Sequence, residues 1–422
     1  MRQARRLVVG VSLLVMQFAL LPIASAQGGT LDPSFGGDGK VTTAVTRRGG
    51  GANAVAIQTD GRIVVSGTSA ARNPRFALAR YNTDGSLDTT FGGDGAVTTD
   101  FRRRGDRATA LAIQSDGKVV VAGNAGTPGA PNARFALARY NTDGRLDPSF
   151  GGDGRVTTDL ERGSDVGFAV VIQVDGKIVV AGNSGSEDFA LARYNTDGSL
   201  DPTFGGDGKV ITSFGQEPFD TARSIDVQTD GRIVVAGGSR GDFALSRYNA
   251  DGSLDTTFGE DGKVTSDLGL VFQIATDVTI QGDGKIVAAG WGECFQIDGC
   301  FYDVVLARYN PDGTVDTTFG EGGRTLGGFE YGFANAVVLQ PDGKLVTAGT
   351  STVSGYFVFA LARFDADGAL DADFGTEGRL VTGFTQRDAA AGDVAIQADE
   401  KIVAAGVVSG DRHRFAVTRF LP

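Results

Sequence analysis

Histidine is almost missing from this 422-residue chain: His413, in the segment DRHRF, is the only one. That excludes a multi-histidine metal site and argues against a Ser-His-Asp relay. His413 itself reads as a surface loop residue, with a pH-tunable base as the alternative. Cysteine is nearly as scarce, with Cys294 and Cys300 both inside GECFQIDGCF. In an oxidising compartment the pair reads as a disulfide clamping that one loop, worth about 2 kcal/mol by the chain-entropy account. A metal site there would lack a third cysteine or a histidine. No apolar run after Leu21 is long enough to span a bilayer. Basic residues are in deficit, 39 against 51 acidic ones for a net charge of −12, which argues against general nucleic-acid binding.

The N-terminus has the layout of a secretion signal. Arg2, Arg5 and Arg6 precede an apolar stretch from Leu7 to Leu21, and Ala24-Ser25-Ala26 follows as a small-residue cleavage site. The expectation is a signal peptide over 1–26 and a single secreted domain over 27–422. A membrane anchor is the alternative reading of the same run. Losing three arginines would leave the mature chain more acidic still.

Glycine is what the chain has in quantity, 64 residues, and it falls in a repeated pattern. FALARYNTDGSLDTTFGGDG (Phe76 to Gly95) returns from Phe135 almost unchanged and, more loosely, from Phe189, Phe243, Val304 and Phe359; FAVTRF from Phe415 is a last, truncated copy. The phenylalanine of the FG pair recurs at intervals of 54 to 61 residues from Phe35 to Phe374. A second motif, Q-x-D-G-K/R, occurs at Gln58, Gln114, Gln173, Gln228, Gln281 and Gln340 and decays to QADEK at Gln397. Such spacing marks seven copies of one supersecondary unit.

Each unit reads as four short strands. In the first, AVAIQ is followed by an Asp60-Gly61 hairpin turn, then RIVVSG, then FALARYN, and finally AVTT after a long connection. FALARYN puts Phe76, Leu78 and Arg80 on one face and Ala77, Ala79 and Tyr81 on the other, so neighbouring sheets can nest. The expectation is an all-β chain, a seven-bladed β-propeller of four-stranded antiparallel blades, with a solenoid as runner-up. The chain opens on the back of a unit, LDPSFGGDGKVTT, and closes on the front of one. The N-terminal strand should therefore complete the last blade and close the ring.

The linked motifs LDxxFGxDGxV, QxDGKIVVAG and FALARYNxDGxLD resemble the delta-60 repeat family of bacterial secreted proteins over nearly everything from Leu31 to Phe420. The resemblance implies an extracytoplasmic β-propeller and supplies no catalytic residues. Glu400, where the other units have the turn glycine, is the main departure and places the last hairpin under strain.

NTDGSLD invites comparison with calcium loops, but the first-ligand position falls on Arg80, and likewise on Arg139, Arg193, Arg247, Arg308 and Arg363. A guanidinium offers no lone pair and repels a cation. Calcium is therefore disfavoured, no cofactor or metal is expected, and Arg80 should instead hold the loop as a bidentate clamp on Asp84 or Asp88.

In an up-and-down blade the repeated motifs occupy one face of the ring, and the second-to-third and fourth-to-first connections occupy the other. Those connections differ in every unit, and recognition usually sits on such loops. One sector there is basic: Arg47, Arg48, Arg72, Arg75, Arg102, Arg103, Arg104, Arg107 and Arg134, joined by Arg387, Arg412 and Arg414, with Asp106, Asp388 and Asp411 as possible balancing charges. Another gathers aromatics, Trp291, Phe295, Phe301, Tyr302, Phe329, Tyr331, Phe333, Tyr356 and Phe357. Trp291, Tyr331 and Tyr356 are candidates for stacking on a sugar or a protein partner, whereas Phe333 and Phe357 read better as loop plugs. The sequence favours a non-enzymatic binding or scaffold module for a glycan or protein. Its alternatives are a polysaccharide-acting enzyme with channel carboxylates and a purely structural surface module.

Overall fold

The computed structural model describes residues 28–101, 105–160, 163–185, 188–215, 220–293 and 301–422. The signal segment, Arg102, Arg103, Arg104, Cys294, Cys300 and Phe295 lie outside the described residues. The chain forms seven four-stranded antiparallel sheets and no helix among the described residues. Blade 1 consists of Gly50–Ile57, Ile63–Ser69, Phe76–Tyr81 and Ala96–Thr99 in sequence order, and blades 2 to 6 repeat that order. Blade 7 takes Ala389–Ile396, Ile402–Val408 and Arg414–Phe420 from the end of the chain and Lys40–Thr43 from its start, with Thr43 opposite Phe415. The first strands of adjacent blades touch all the way round, Gly50–Ile57 meeting Ala389–Ile396. They line the channel, and a seven-bladed β-propeller results.

Alternation along the third strand nests the blades. Phe76 and Leu78 pack forward against Ala136, Ala138 and Tyr140 of blade 2, while Ala77, Ala79 and Tyr81 pack back against Val403, Phe415 and Val417 of blade 7. Large side chains thus fill the space that alanines leave, at the density of a close-packed interior. Buried Tyr140, Tyr194 and Tyr248 donate their hydroxyls to Thr99, Thr158 and Thr212 of the preceding blade, at 2.7, 2.8 and 2.9 Å.

The repeated loop is built on its arginine, with two corrections to the sequence reading. Arg80 Nε donates to Asp88 Oδ2 at 2.8 Å, while Asp84 accepts from the amide and hydroxyl of Ser86 at 2.9 and 2.6 Å and does not touch the clamp. Nor is the clamp a two-pronged grip on one carboxylate. Arg80 Nη2 donates to Thr90 Oγ1 at 3.2 Å, and Nη1 reaches the Thr142 carbonyl of the next blade at 2.6 Å. Its guanidinium lies 4.7 Å from the centroid of Phe91, a cation–π stack. The lysine or arginine of Q-x-D-G-K/R also meets that carboxylate: Arg62 with Asp88, Lys177 with Asp201, Lys285 with Asp316 and Lys344 with Asp371. Arg139, Arg193, Arg247, Arg308 and Arg363 repeat the pairing with Asp147, Asp201, Asp255, Asp316 and Asp371. A seventh clamp joins the two ends of the chain. Arg419 holds Asp32 at 2.9 Å and lies over Phe35. The alignment of FAVTRF with FALARY and of LDPSF with LDTTF carried that pair, and the sequence reading passed it over.

The FG glycine completes each junction. Gly36, Gly92, Gly151, Gly205, Gly259 and Gly320 donate their amides to the turn aspartate carbonyl of the following blade, and Gly375 donates to the Gly28 carbonyl.

Burial alone would raise the Asp147 carboxyl, but hydrogen bonds from Ser149 and the charges of Arg139 and Lys118 outweigh it and hold it at about 2. A lowered carboxylate stabilises the fold above its ordinary value of 3.8 and loses that contribution as pH falls through about 2. Asp147→Asn strands a buried guanidinium and should cost about 3–5 kcal/mol in urea unfolding at pH 7, with a smaller deficit at pH 2. Glu400 adopts φ 65°, where the other hairpins place a glycine such as Gly61 at φ 82°. Glu400→Gly should therefore gain about 1 kcal/mol, read as a higher urea midpoint at unchanged slope.

Candidate functional site

The basic and aromatic sectors lie on one face and are linked around its rim. Phe357 donates its amide to Asp388 Oδ1 at 3.0 Å, Ser409 donates to the Asp388 carbonyl at 2.7 Å, and Arg412 donates to the Arg47 carbonyl at 2.6 Å. Arg47 and Arg48 are exposed there. Arg75 pairs with Asp100 at 2.9 Å and Arg134 with Asp159 at 3.0 Å, so part of the basic sector is already neutralised. Asp106, expected among the balancing surface charges, is instead fully buried and accepts the amides of Phe101 and Gly126 at 2.8 and 3.1 Å.

Between blades 5, 6 and 7 this face opens into a cleft of about 430 Å³, walled by Trp291, Phe333 and Phe357, with Asn335, Thr350, Asp388 and Ser409 as its polar groups. Trp291 stands at the end of the second strand of blade 5. It is held edge-on by Phe333 and Tyr302, at 5.3 and 5.8 Å between centroids, and by Phe272 at 5.6 Å. The strand ends decide membership. Phe333 and Phe357, read from sequence as plugs, form the walls. Tyr331 stacks on Phe301 at 5.0 Å outside the cleft, and Tyr356 is exposed but does not line it. Phe272, which the sequence reading did not single out, completes the support of the indole. Val271, Phe272, Phe301, Val353, Tyr356 and Phe357 are all well exposed in this sector. Apolar side chains concentrated in one sector of a surface mark an interaction site more often than scattered ones do.

The cleft continues inward to the channel, the two sharing Asn335, Ala390 and Val407. Each first strand carries one β-bulge at the same place, interrupting the register between Ala52 and Ala54 in blade 1 and between Ala222 and Ser224 in blade 4. The skipped residues are Asn53, Thr109, Phe168, Arg223, Thr276, Asn335 and Gly392, so adjacent blades differ in kind there. Bulges re-aim side chains, and these line the channel. The bulge also explains the glycine of IVVSG and its copies. A Cβ at Gly67 or Gly123 would overlap the carbonyl of Gly51 or Arg107, just ahead of the bulge.

Three acids sit beside the bulges. Asp393 accepts the amides of Val55 in blade 1 and of Val394 at 2.8 and 2.7 Å. Asp277 accepts the Val337 amide at 2.7 Å and the Ser224 hydroxyl at 2.5 Å, and Asp226 accepts the Val227 and Ile280 amides at 2.8 and 3.1 Å. Burial pushes Asp226 and Asp277 up to about 6 and Asp393 up to about 7, the last also feeling the charge of Asp277. The sequence reading missed them. For Asp277 and Asp393 the signal was a broken repeat: both occupy the position that is alanine at 54, 110, 169 and 336. Among the described residues no group of three or more His, Cys, Asp or Glu is placed to hold a metal ion.

The blades and the repeats together define a β-propeller repeat protein. Six of its segments, 58–91, 114–150, 173–204, 228–258, 281–319 and 340–374, match the family model described as a domain of unknown function (DUF5122) beta-propeller. No curated protein matches the chain in sequence. Among solved structures, a catalytically inactive virginiamycin B lyase from Staphylococcus aureus with quinupristin is similar at a TM-score of 0.52 and 11% identity, covering 90% of this chain and 98% of that one. A streptogramin B lyase is similar at 0.51 and 9%, covering 90% and 97%, and the WD40 repeats of RRP9 at 0.51 and 11%, covering 90% and 97%. Lyases and WD40 repeats are matched about equally well, so the likeness conveys the shared fold and no particular chemistry.

The raised carboxyls set a pH dependence opposite to that of the clamps. Between the ordinary 3.8 and about 7 the folded chain keeps protons that the unfolded chain has lost, so stability falls as pH rises through that window. The melting temperature should be higher at pH 5 than at pH 8. Asp393→Asn should narrow the gap whatever it does to the absolute value, because residue 393 then no longer titrates.

Proposed function

We propose that the protein is a non-enzymatic binding module of the delta-60 repeat type, acting outside the cytoplasm and recognising a glycan through the variable face. The observation that carries this reading is the cleft at Trp291, where an indole and two phenylalanines meet an amide, two hydroxyls and a carboxylate in a space of about 430 Å³. Flat aromatic walls suit the C–H face of a sugar ring, and the polar groups suit its hydroxyls. A protein loop with an aromatic anchor is the second occupant of the same chemistry. Among the described residues no helix is long and apolar enough to cross a membrane. The repeated loops serve the ring and hold no calcium in this reading, since each clamp carboxylate already meets an arginine and a hydroxyl or an amide.

A second reading, an enzyme acting on a polysaccharide, draws its support from Asp226, Asp277 and Asp393, whose values near neutrality would suit proton transfer. Against it, each is tied to backbone amides that hold blades together. A glycan array probed with residues 27–422 separates the two. Binding that Trp291→Ala weakens by about tenfold or more supports the module, and release of shortened product from a bound glycan would replace it with the enzyme. Chelation with EDTA should leave the melting temperature unchanged.

A further inference from the structure

The bulge ring uses its polar side chains in one way, with one exception. Asn53, Thr109, Thr276 and Asn335 each donate to a backbone carbonyl of the next blade, at 2.6 to 2.8 Å. Arg223, at the same position in blade 4, does not. It turns back onto Phe168 of blade 3, its guanidinium carbon 4.5 Å from the ring centroid. Its Nε is buried with no hydrogen-bond partner, and among the described residues no carboxylate lies within ion-pair distance of it. Arg107, on the first strand of blade 2, lines the same cavity and likewise has no carboxylate partner among the described residues. The nearby acids Asp226, Asp277 and Asp393 accept backbone amides instead.

A guanidinium that is largely buried without a counter-ion is costly, and desolvation accordingly lowers the Arg223 value. An arriving anion relieves that cost. The stack on Phe168 holds the guanidinium plane in place, leaving its edge for a planar or tetrahedral oxyanion. The cavity around the two arginines is about 430 Å³, room for a small organic acid or the acidic end of a larger ligand.

We propose that the channel is an oxyanion-binding site, in which Arg223, backed by Phe168, and Arg107 take the carboxylate or sulfate of a ligand. This chemistry does not require the Trp291 cleft to bind a saccharide, although the shared wall at Asn335 would let one acidic sugar chain occupy both.

The test is to follow the Arg223 Nε–H resonance by NMR while sodium sulfate or sodium galacturonate replaces sodium chloride at constant ionic strength. A saturable shift with either anion supports the site, and which anion saturates it at the lower concentration tells a sulfate from a carboxylate ligand. The dissociation constant should rise about tenfold in Arg107→Gln, the loss expected for one charge-assisted hydrogen bond. Calorimetric binding should disappear in Arg223→Met, which keeps the apolar stack, and should be unchanged in Trp291→Ala. A linear, non-saturating response, or binding that survives Arg223→Met, overturns the proposal. Anion binding that persists while no glycan binds would sink the glycan reading and leave the channel site standing.

Discussion

Everything repeated in this protein converges on one buried ion pair, the arginine at the end of each third strand and the aspartate of the loop that follows. The arginine sits under 10% exposed, as at Arg80 and Arg139, so the pair is shielded from screening in a way that surface bridges are not. Alone, such a pair does little more than offset its own desolvation. Here the remaining donors are also engaged. In most blades one reaches a threonine or serine hydroxyl and one reaches the carbonyl of the next blade, and the cation's face lies on the FG phenylalanine. A single residue therefore folds its own loop and fixes the neighbouring blade. Asn82, Asp84, the FG glycine and the basic residue of the hairpin are arranged around it. Seven such junctions make a ring whose last joint, Arg419 with Asp32, brings together the two ends of the described chain.

The architecture was legible because each repeat states its constraints locally. Alternation in FALARY gave both faces of the third strand, and the out-of-phase ends gave the closing strand at Lys40–Thr43. What local reading left open was the partner: Asp84 and Asp88 both lie within reach of Arg80 in sequence, and only the loop's path selects Asp88. The bulges were missed for a related reason. An extra residue in a strand changes no single motif, and the one trace it leaves is the glycine opposite, which passes for an ordinary strand glycine. At the cleft the failure was directional. Phe333 and Tyr331 are two residues apart, but Tyr331 lies ahead of the strand and its ring turns to Phe301 while that of Phe333 faces Trp291. Strand-end geometry of that kind is not written in side-chain type.

Aspartate is used in two opposite electrostatic states, and its place in the ring decides which. In the outer loops, hydroxyls and cations surround the carboxylate and hold it charged; Asp147 lies at about 2. Along the channel, burial dominates, the donors are backbone amides and at Asp277 also the Ser224 hydroxyl, and Asp393 is pushed up to about 7. Both kinds join neighbouring blades. Clamps need their charge and weaken in acid, whereas the channel latches tolerate their protons and are strained as they lose them. The ring should therefore be most stable in the mildly acidic interval between the two.

Sevenfold repetition constrains where individuality can appear. A clamp altered in one blade weakens both a loop and a junction, since each arginine touches its own loop and the next blade. The variable loops carry no such double duty, and there and at the bulges the blades differ: indole and phenylalanines at blades 5 and 6, guanidinium over phenylalanine at blades 3 and 4, glycine at blade 7. The two unusual regions meet where the cleft opens into the channel at Asn335. A surface that is apolar and aromatic at its mouth and cationic further in is suited to a ligand with a neutral body and an acidic end. Rigidity in the repeated part and asymmetry at its centre are thus two consequences of one arrangement, in which the clamps hold the ring and leave the channel free to vary.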